Sequence, residues 1–456
     1  MKKTIILLLV LVFATSIVFI GSGCKATASK ETGASETTVT EASVAETTAS
    51  EATTESGGKI KLVFANYASA EEATRDSINA IISEFEKTHP DVTIENLPIP
   101  YDQCREQYMI MAAGGNAPDI MHLISSWPHE LGAMGAMLDL KTVAEPEYLA
   151  DNYQGGLDIG TYKDKLFAVP LILAPDGFIY NKKLMAEAGI ETVPKTIDEL
   201  MSASQKIKDS LGSKGVYALG IDTAKDDHSL VAFMSWMFNF GAYPLEGGVN
   251  FDTPQMKQCF EWYRGIVEEK YNPLGIAVKE ARELMAKDKI VFKLDGPFNL
   301  GIFRSLDPSL EGDAFYDKFG VTSPPISGNV QSPQVLSIVG SLGISSQSKN
   351  SKMAWEFVKF LTSSDISIEK YMVPLGAVPP LKSQLTGKFK DSFSSPWVQG
   401  FLNDVAPITR GFPYTTEYGA ESQFIIGALQ EAVTTNKPIG DILANTEASL
   451  QNLYKE

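Results

Sequence analysis

The sequence has few of the residues, and none of the short motifs, that the commonest catalytic sites use. Its 456 residues include three cysteines and four histidines, and it contains no G-x-S-x-G, H-E-x-x-H or phosphate-binding glycine loop. These motifs are typical of α/β-hydrolases, zinc proteases and P-loop NTPases, so those classes are excluded. We expect no catalytic residue, no metal site and no cofactor. The two carboxylates with which a glycosidase cleaves a glycosidic bond leave no local motif, so the missing motifs do not exclude a glycosidase.

Basic residues are also scarce. There are 39 lysines and arginines against 56 aspartates and glutamates, and the formal net charge is −17. Nucleic-acid binding needs clustered basic side chains that displace counterions from phosphates, and a polybasic hold on anionic lipid needs the same clusters. We therefore expect neither nucleic acid nor a charged lipid surface as a partner.

Only one long apolar run occurs, over residues 5–20, and the small residues 21–23 follow it. The run is shorter than the roughly 20 residues that span a bilayer. We predict that residues 1–23 are a signal peptide and that Cys24 is the lipidated first mature residue, because the segment resembles a bacterial lipobox. Gly21 stands where that motif usually has leucine, and an uncleaved anchor helix is the alternative. Both place the remaining chain outside the cytoplasm, and lipidation would hold it at the extracytoplasmic face of the cell membrane.

The segment that follows Cys24 lacks aromatic side chains and consists mainly of Ser, Thr, Ala and Glu. Such a composition buries too little apolar surface to fold. We predict that residues 24–58 form a disordered tether between the lipid and the folded body.

The folded remainder alternates predicted strands and helices. Strands are predicted at 61–64 and 120–124 and helices after Ser69 and at 102–113, and Ser69 with Glu72 has the spacing of a capping box. Such alternation favours a mostly parallel sheet covered on both faces, with ligands beyond the carboxyl ends of its strands. We expect Cys104 and Cys259 to be buried free thiols, since both lie in helix-like segments.

Residues 162–200 are the most informative segment. A turn at Lys163 and Asp164 joins two short strands there, and Asn181 and Thr196 have the position of helix N-caps. The characteristic motifs of the chain, in order, are Pro118-Asp119-Ile120, Ala168-Val169-Pro170, Tyr180-Asn181-Lys182, Ala188-Gly189-Ile190, Asp295-Gly296-Pro297-Phe298 and Pro374-Leu375-Gly376. In this order and spacing they resemble the extracellular solute-binding protein family 1, the maltose-binding-protein-like sugar receptors of ABC importers.

The resemblance implies an α/β chain with the type II periplasmic-binding-protein fold, in which two α/β lobes of discontinuous sequence enclose a ligand cleft. We expect the N-terminal lobe to comprise 59–172 and 325–372, and the C-terminal lobe 173–324 and 373–456. The resemblance also implies a carbohydrate ligand, with an oligosaccharide favoured, and the permease subunits of an ABC importer as partners. We further expect a monomer.

A sugar presents apolar C–H faces and hydroxyl rims, so its site needs flat aromatic rings beside fixed hydrogen-bonding groups. The loop after the first strand offers Asn66 and Tyr67. Trp127 follows the strand at 120–124, and either stacks on a ligand or plugs the rim of its lobe.

Three further candidates lie near residue 172, where we expect the chain to cross between the lobes for the first time, and in a long apolar run. Pro175 and Asp176 stand where members of the family place ligand contacts; Asp176 would accept from a hydroxyl, or alternatively cap a turn. Trp236 lies in a segment that is apolar around most of a helix, so a core position is favoured over ligand contact.

The resemblance carries the remaining candidates. Phe298 stands in the Gly-Pro loop where the family often has tryptophan, and would stack on a sugar ring. Arg410, Tyr414 and Glu417 belong to a polar-aromatic loop in a region where the family makes further contacts. An arginine fork matches two vicinal hydroxyls, and the alternative is an ion pair with Glu417 or another acid.

Two other classes of function stay open beside the carbohydrate receptor. A receptor for a polyamine would need several carboxylates around an aromatic box, and one for glycerol phosphate would need basic groups or a helix N-terminus. A tethered extracellular glycosidase is the alternative from a different class.

Overall fold

The structure is a computed structural model that describes residues 59–455 apart from Ser125, residues 412–414 and Thr416. The predicted signal peptide, the predicted lipidation site Cys24, the predicted tether and the candidate Tyr414 lie outside the described residues.

The described chain forms two larger β-sheets and one hairpin. Its strands are Ile60–Asn66 (β1), Val92–Pro98 (β2), Ile120–Leu123 (β3), Thr161–Tyr162 (β4), Lys165–Leu166 (β5), Val169–Pro175 (β6), Gly177–Asn181 (β7), Tyr217–Leu219 (β8), Ile290–Asp295 (β9), Phe319–Thr322 (β10), Val335–Ile344 (β11) and Thr409–Arg410 (β12). The first sheet has the order β12-β11-β3-β1-β2, with β6 also paired to β11, and the second has the order β10-β7-β9-β8. Strands β4 and β5 form the hairpin.

Helices cover both sheets. They are Arg75–Thr88 (α1), Tyr101–Ala113 (α2), Trp127–Ala133 (α3), Pro146–Asp151 (α4), Gln154–Ile159 (α5), Lys182–Glu187 (α6), Ile197–Leu211 (α7), Asp227–Phe240 (α8), Pro254–Glu268 (α9), Val278–Ala286 (α10), Asn299–Leu306 (α11), Asp313–Lys318 (α12), Ser351–Ser363 (α13), Asp365–Ser367 (α14), Val373–Leu375 (α15), Lys382–Thr386 (α16), Pro396–Gly400 (α17), Tyr418–Thr434 (α18) and Ile439–Leu453 (α19). Short 3₁₀ and π turns occur between some of them, such as the π turn Ile368–Met372.

The chain passes between the two sheets more than once. Strand β6 belongs to the first sheet and β7 to the second, and Asp176 alone separates them. The chain returns between β10 of the second sheet and β11 of the first. The result is two α/β lobes of discontinuous sequence, the type II periplasmic-binding-protein fold. We call the lobe that contains β1 the first lobe and the lobe that contains β7 the second lobe.

The lobe limits given above, 59–172 with 325–372 and 173–324 with 373–456, stay our proposed division of the chain. The short strand β12 pairs in parallel with the first residues of β11, although the segment that carries it is assigned to the second lobe. This pairing lies close to Asp176, whose backbone N–H donates to the carbonyl oxygen of Leu336 in β11 at 3.0 Å.

The start of α1 differs from the prediction. The helix begins at Arg75, so the capping box predicted at Ser69 and Glu72 is wrong. The backbone N–H of Ser69 donates instead to Asn66 Oδ1 at 2.7 Å, which ties the chain into a loop rather than a first helical turn. The predicted apolar stripe of the helix is buried, and it comprises Ile78, Ile81, Ile82 and Phe85.

Two predicted helix caps and one predicted turn are present in the structure. The side chain of Asn181 accepts a hydrogen bond from the first turn of α6, and that of Thr196 accepts one from the first turn of α7. Lys163 and Asp164 have φ of 48° and 64°, the left-handed pair that a tight two-residue hairpin turn needs.

Apolar side chains fill both lobes. Cys104 and Cys259 are buried and unpaired, as predicted. Among the residues that the structure describes, no helix has the length and apolar character needed to cross a membrane.

Candidate functional site

A cavity of about 290 Å³ lies between the two lobes. The first lobe contributes the loop after β1, the start of α2, Gly340 in β11 and Tyr371. The second lobe contributes α10, α11 and Phe298 in the turn before α11. The cavity is therefore an interlobe cleft, the place at which a two-lobed receptor encloses its ligand.

Aromatic rings wall the cavity from both sides. Tyr67, Tyr101 and Tyr371 line it from the first lobe and Phe298 lines it from the second. The rings of Tyr67 and Tyr101 meet edge to face, with centroids 5.3 Å apart. Burial raises the pKa of all three tyrosines, so their hydroxyl groups are neutral at physiological pH.

The turn between β9 and α11 positions Phe298. Asn299 Nδ2 donates to the carbonyl oxygen of Gly296 at 2.9 Å, which fixes the turn. The guanidinium carbon of Arg282 lies 5.0 Å from the centroid of the Phe298 ring, a cation–π distance. The ring is therefore held between its own turn and a cation of α10.

Arg282 also lines the cavity, but its charge is compensated. Its Nε and Nη2 donate to the two carboxylate oxygens of Asp295 at 2.8 and 2.9 Å. Burial alone would raise the pKa of the Asp295 carboxyl, but the charges of Arg282 and Lys293 hold it well below its usual range. The guanidinium thus faces the cavity as half of a buried ion pair.

Two other polar pairs line the cavity. Lys279 Nζ of the second lobe lies 2.9 Å from Glu71 Oε1 of the first, so this ion pair spans the cleft. His228 Nδ1 lies 3.0 Å from Asp222 Oδ2 within the second lobe, and the imidazole meets the Tyr101 ring across the cleft at 6.3 Å. The cavity thus presents aromatic faces, hydrogen-bonding groups and basic side chains that are paired with carboxylates, together with the exposed carboxylate of Glu72.

Two of the residues predicted from the sequence, Tyr67 and Phe298, line the cavity. Asn66 lies beneath it and is fully buried, with its amide bonded to Asn96 Oδ1 at 2.8 Å and its oxygen accepting from Ser69. Through these bonds Asn66 shapes the loop that bears Tyr67. Contact of Tyr67 and Phe298 with a ligand stays a prediction.

The predicted tryptophans are not among the cavity-lining residues. Trp127 is 7% exposed and packs edge to face on Tyr108 at 6.0 Å, which matches the alternative of a packed plug. Trp236 is 1% exposed and packs against Phe178 and Trp262, which is the core position favoured by its apolar helix.

The predicted pair at the first crossing is also buried away from the cavity wall. Pro175 ends β6 in contact with β11. Asp176 Oδ2 accepts from Ser235 Oγ at 2.8 Å, and burial raises the pKa of the Asp176 carboxyl to about 7. The same Ser235 Oγ accepts from the backbone N–H of Leu336 at 2.9 Å. This carboxyl therefore ties the crossing to β11 and α8.

Arg410 lies in β12 rather than at the cavity. Its Nη1 donates to Gln334 Oε1 at 2.8 Å, its guanidinium covers the Phe238 and Tyr243 rings, and it forms an ion pair with Glu246. The alternative of an ion pair with another acid is the one that the structure contains. Glu417 is exposed at the start of α18.

Sequence reasoning missed Tyr101, Tyr371, Arg282 and His228. Tyr101 directly follows Pro100, a position that starts a helix beside the carboxyl edge of the sheet, and this was the one usable signal. Arg282 and His228 come from helices of the second lobe, and no local pattern shows that they face the first lobe.

The comparisons with known proteins agree with this architecture. The family model described as bacterial extracellular solute-binding protein matches residues 69–367. The chain belongs to this family. The match includes the loop after β1 from Ser69 onward, the two crossings of the chain described above, and the turn that bears Phe298.

Members and structural neighbours of the extracellular solute-binding family resemble the chain over most of its length. It is 22% identical to the maltotriose-binding protein of Pyrococcus abyssi over 384 residues, which is 83% of this chain and 78% of that protein. A solute-binding protein of Thermotoga lettingae bound with α-D-tagatose matches with a TM-score of 0.75, 20% identity and coverage of 86% of this chain and 100% of that one. Maltose-bound MalE3 of T. maritima matches with a TM-score of 0.74, 22% identity and the same coverage.

Proposed function

We propose that this protein is the carbohydrate-binding receptor of an ABC importer, which captures its ligand between the two lobes and delivers it to the permease. The observation that carries the proposal is the interlobe cavity, in which Tyr67, Tyr101 and Tyr371 face Phe298 of the other lobe. Aromatic rings on two sides match the apolar faces of a sugar ring, and the polar groups between them match its hydroxyls. Family membership and sugar-binding relatives support the same ligand class.

The size of the cavity favours a short ligand. Its volume of about 290 Å³ lies near the lower end of the range of ligand pockets, roughly 300 to 1,000 Å³. We therefore propose a ligand of one or two sugar rings rather than a longer oligosaccharide.

The paired charges favour a neutral ligand over the two alternative solutes. Glycerol phosphate would need unpaired cations, but Arg282 is bound to Asp295 and Lys279 to Glu71. A polyamine would need several free carboxylates around the rings, but Glu71 is in that same ion pair, and Glu72 is the one other acidic side chain among the described lining residues.

A thermal-shift panel tests the proposal. The panel comprises glucose, galactose, maltose, melibiose, spermidine and glycerol 3-phosphate, each at millimolar concentration. A sugar that binds only the native state raises Tm, and its removal by dialysis reverses the shift. No shift with any sugar, or a larger shift with spermidine or glycerol 3-phosphate, would contradict the proposal. Chromatography of the incubated sugars checks that the protein does not cleave them.

Two variants connect the shift to the cavity. Phe298→Ala removes the ring that the second lobe contributes, and we expect affinity for the binding sugar to fall by about tenfold or more. Tyr454→Ala is the matched control, because Tyr454 is 46% exposed in the last turn of the described chain. Equal loss in both variants would mean that Phe298 acts through general stability.

We also propose that Cys24 carries the lipid that holds the receptor at the membrane. Its position after the apolar run and the small residues 21–23 supports this. In a bacterial host, the full chain should partition with membranes and into detergent, and Cys24→Ala should release it to the soluble fraction. Membrane retention of the Cys24→Ala chain would favour the uncleaved anchor helix instead.

A further inference from the structure

One buried histidine behind the cavity is not used by the contacts described so far. His122 lies in β3, a central strand of the first sheet, and is fully buried. Its imidazole stacks on the ring of Tyr67, with centroids 4.0 Å apart and planes 19° apart. The Tyr67 ring in turn lines the cavity.

The imidazole of His122 is polar but has no polar contact. Both ring nitrogens are buried and neither has a hydrogen-bond partner among the residues that the structure describes. Burial lowers the pKa of His122 to about 3, so the ring is neutral, with one N–H donor and one acceptor nitrogen. Buried polar atoms without partners cost free energy, and a native fold keeps few of them without a reason.

Gly340 shows where one of these nitrogens lies. Gly340 lines the cavity, and a Cβ added to it would lie 3.2 Å from His122 Nε2 and 3.4 Å from Tyr67 Oη. Its φ is not among the positive values, so the backbone does not require glycine at this position of β11. The missing side chain leaves Nε2 and Oη close behind the cavity wall, and we call these two atoms with Gly340 the polar floor.

We propose that the polar floor hydrogen-bonds one hydroxyl of the bound ligand, with His122 Nε2 and Tyr67 Oη as the two contacting atoms. The inference rests on the proposed carbohydrate function and adds a specificity-determining residue to it. A hydroxyl both donates and accepts, as do a neutral imidazole and a phenol together, whereas a charged group would find no opposite charge there. Glycine at 340 keeps a side chain out of the space that Nε2 and Oη share with Ile172 Cγ1, which would lie 3.2 Å from an added Cβ.

The test replaces His122 by phenylalanine, which keeps a flat ring against Tyr67 and removes both nitrogens. The probe is the panel sugar with the largest thermal shift, maltose being measured first. We expect Tm without sugar to stay or rise, because an unpartnered polar group is removed, and affinity for the sugar to fall by about tenfold. A merely structural histidine would not show this combination.

The matched control is His89→Phe. His89 stacks on Phe85 at 4.1 Å and 19°, a geometry close to that of His122 on Tyr67, but outside the cavity. The His89→Phe variant should bind the sugar with the same affinity as the unaltered protein. If His122→Phe also binds the sugar within about twofold of the unaltered protein, the inference is wrong while the proposed function stands.

A second variant keeps the test decisive if His122→Phe does not fold. Gly340→Ala leaves the imidazole in place and puts a methyl group over it, so it should weaken sugar binding while Tm falls only slightly. In addition, ¹⁵N shifts of the His122 ring should change when the sugar is added. Unchanged shifts together with full affinity in Gly340→Ala would overturn the inference. If the unaltered protein binds no sugar at all, the proposed function fails and the inference fails with it.

Discussion

Asp176 is the single residue between β6 of the first sheet and β7 of the second, and it is 3% exposed. Burial raises its pKa to about 7, with Ser235 donating to it and with the charges of Asp295, Lys293 and Arg282 nearby. The sequence predicts a ligand acceptor at this position, and that role stays a prediction. Asp176 joins the first crossing to α8 and, through Ser235, to β11.

This carboxyl makes stability depend on pH. Its pKa in the folded chain lies above that of an unfolded aspartate, so between the two values the folded state holds a proton that the unfolded state has released. Stability therefore falls as pH rises from about 4 to about 7, and the loss is complete above that range. Asp176→Asn keeps an acceptor for Ser235 and removes the charge, so we expect a gain on the order of 2 to 4 kcal/mol above pH 7 and little change near pH 4.

Thermal unfolding of both chains at several pH values measures the difference. The control is Asp391→Asn, which neutralises an exposed carboxylate in a 3₁₀ turn. The difference between the Asp391→Asn chain and the unaltered chain should not vary with pH in the same window. A difference for Asp176→Asn that stays constant from pH 4 to about 8 would show that its carboxyl titrates normally.

At the scale of elements, the turn between β9 and α11 decides where the Phe298 ring lies. A Cβ added to Gly296 would lie 2.4 Å from the Phe298 ring, so the ring packs directly over the glycine. Gly296→Ala must therefore displace the ring. We expect sugar affinity to fall by about five- to tenfold with a stability cost of about 1 kcal/mol, measured by titration calorimetry and by thermal unfolding.

A double-mutant cycle isolates this effect. Once Phe298→Ala has removed the ring, Gly296→Ala should cause no further loss of affinity. Gly265→Ala in α9 is the control, because a Cβ there meets nothing within 4 Å and alanine is the better helix former. It should stabilise the chain by about 0.5 to 1 kcal/mol without changing affinity. Additive losses in the double variant would mean that Gly296 acts elsewhere.

The elements were easier to predict from the sequence than the site. The caps at Asn181 and Thr196 and the turn at Lys163 and Asp164 depend on neighbours in sequence, so their residues specify them. The start of α1 was wrong because its true determinant, the bond from Ser69 to Asn66, closes a loop that capping rules do not describe.

The site residues that could be predicted are again those specified by their neighbours in sequence. Tyr67 follows a predicted strand and Phe298 stands in a family motif, and both line the cavity. Trp127 starts α3 and Asp176 joins β6 to β7, and neither is among the cavity-lining residues, because the direction of a side chain depends on packing from other parts of the chain. Arg282 could not have been chosen, because its role depends on Asp295 thirteen residues later and on a lobe far away in sequence.

At the scale of the molecule, the two lobes meet across the cavity through an ion pair. Glu71 and Lys279 belong to different lobes, their charged atoms are 2.9 Å apart, and their side chains are 37% and 61% exposed. Because the chain crosses between the lobes more than once, their relative motion is restricted to hinge bending. The pair therefore acts on one equilibrium, between lobes in contact and lobes apart.

Removing the pair should shift that equilibrium by a small, measurable amount. An exposed ion pair contributes about 0.2 to 1 kcal/mol, which corresponds to a change of up to about fivefold in the closed population. We expect Lys279→Met to weaken sugar binding by at most that factor, to speed sugar dissociation, and to lessen the salt dependence of affinity. Stopped-flow displacement and X-ray scattering of the sugar-free chain measure the rate and the lobe separation.

Exchanging the two charges tests whether the effect comes from the ion pair itself or from its surroundings. The double variant Glu71→Lys with Lys279→Glu restores opposite charges and should recover most of the affinity that either single reversal loses. Lys208→Met is the matched control, since Lys208 pairs with Glu269 at 2.9 Å within the second lobe and cannot affect closure. If Lys208→Met and Lys279→Met change the dissociation rate equally, the pair across the cleft does not influence closure. If only Lys279→Met does, an exposed ion pair sets how long this receptor holds its ligand.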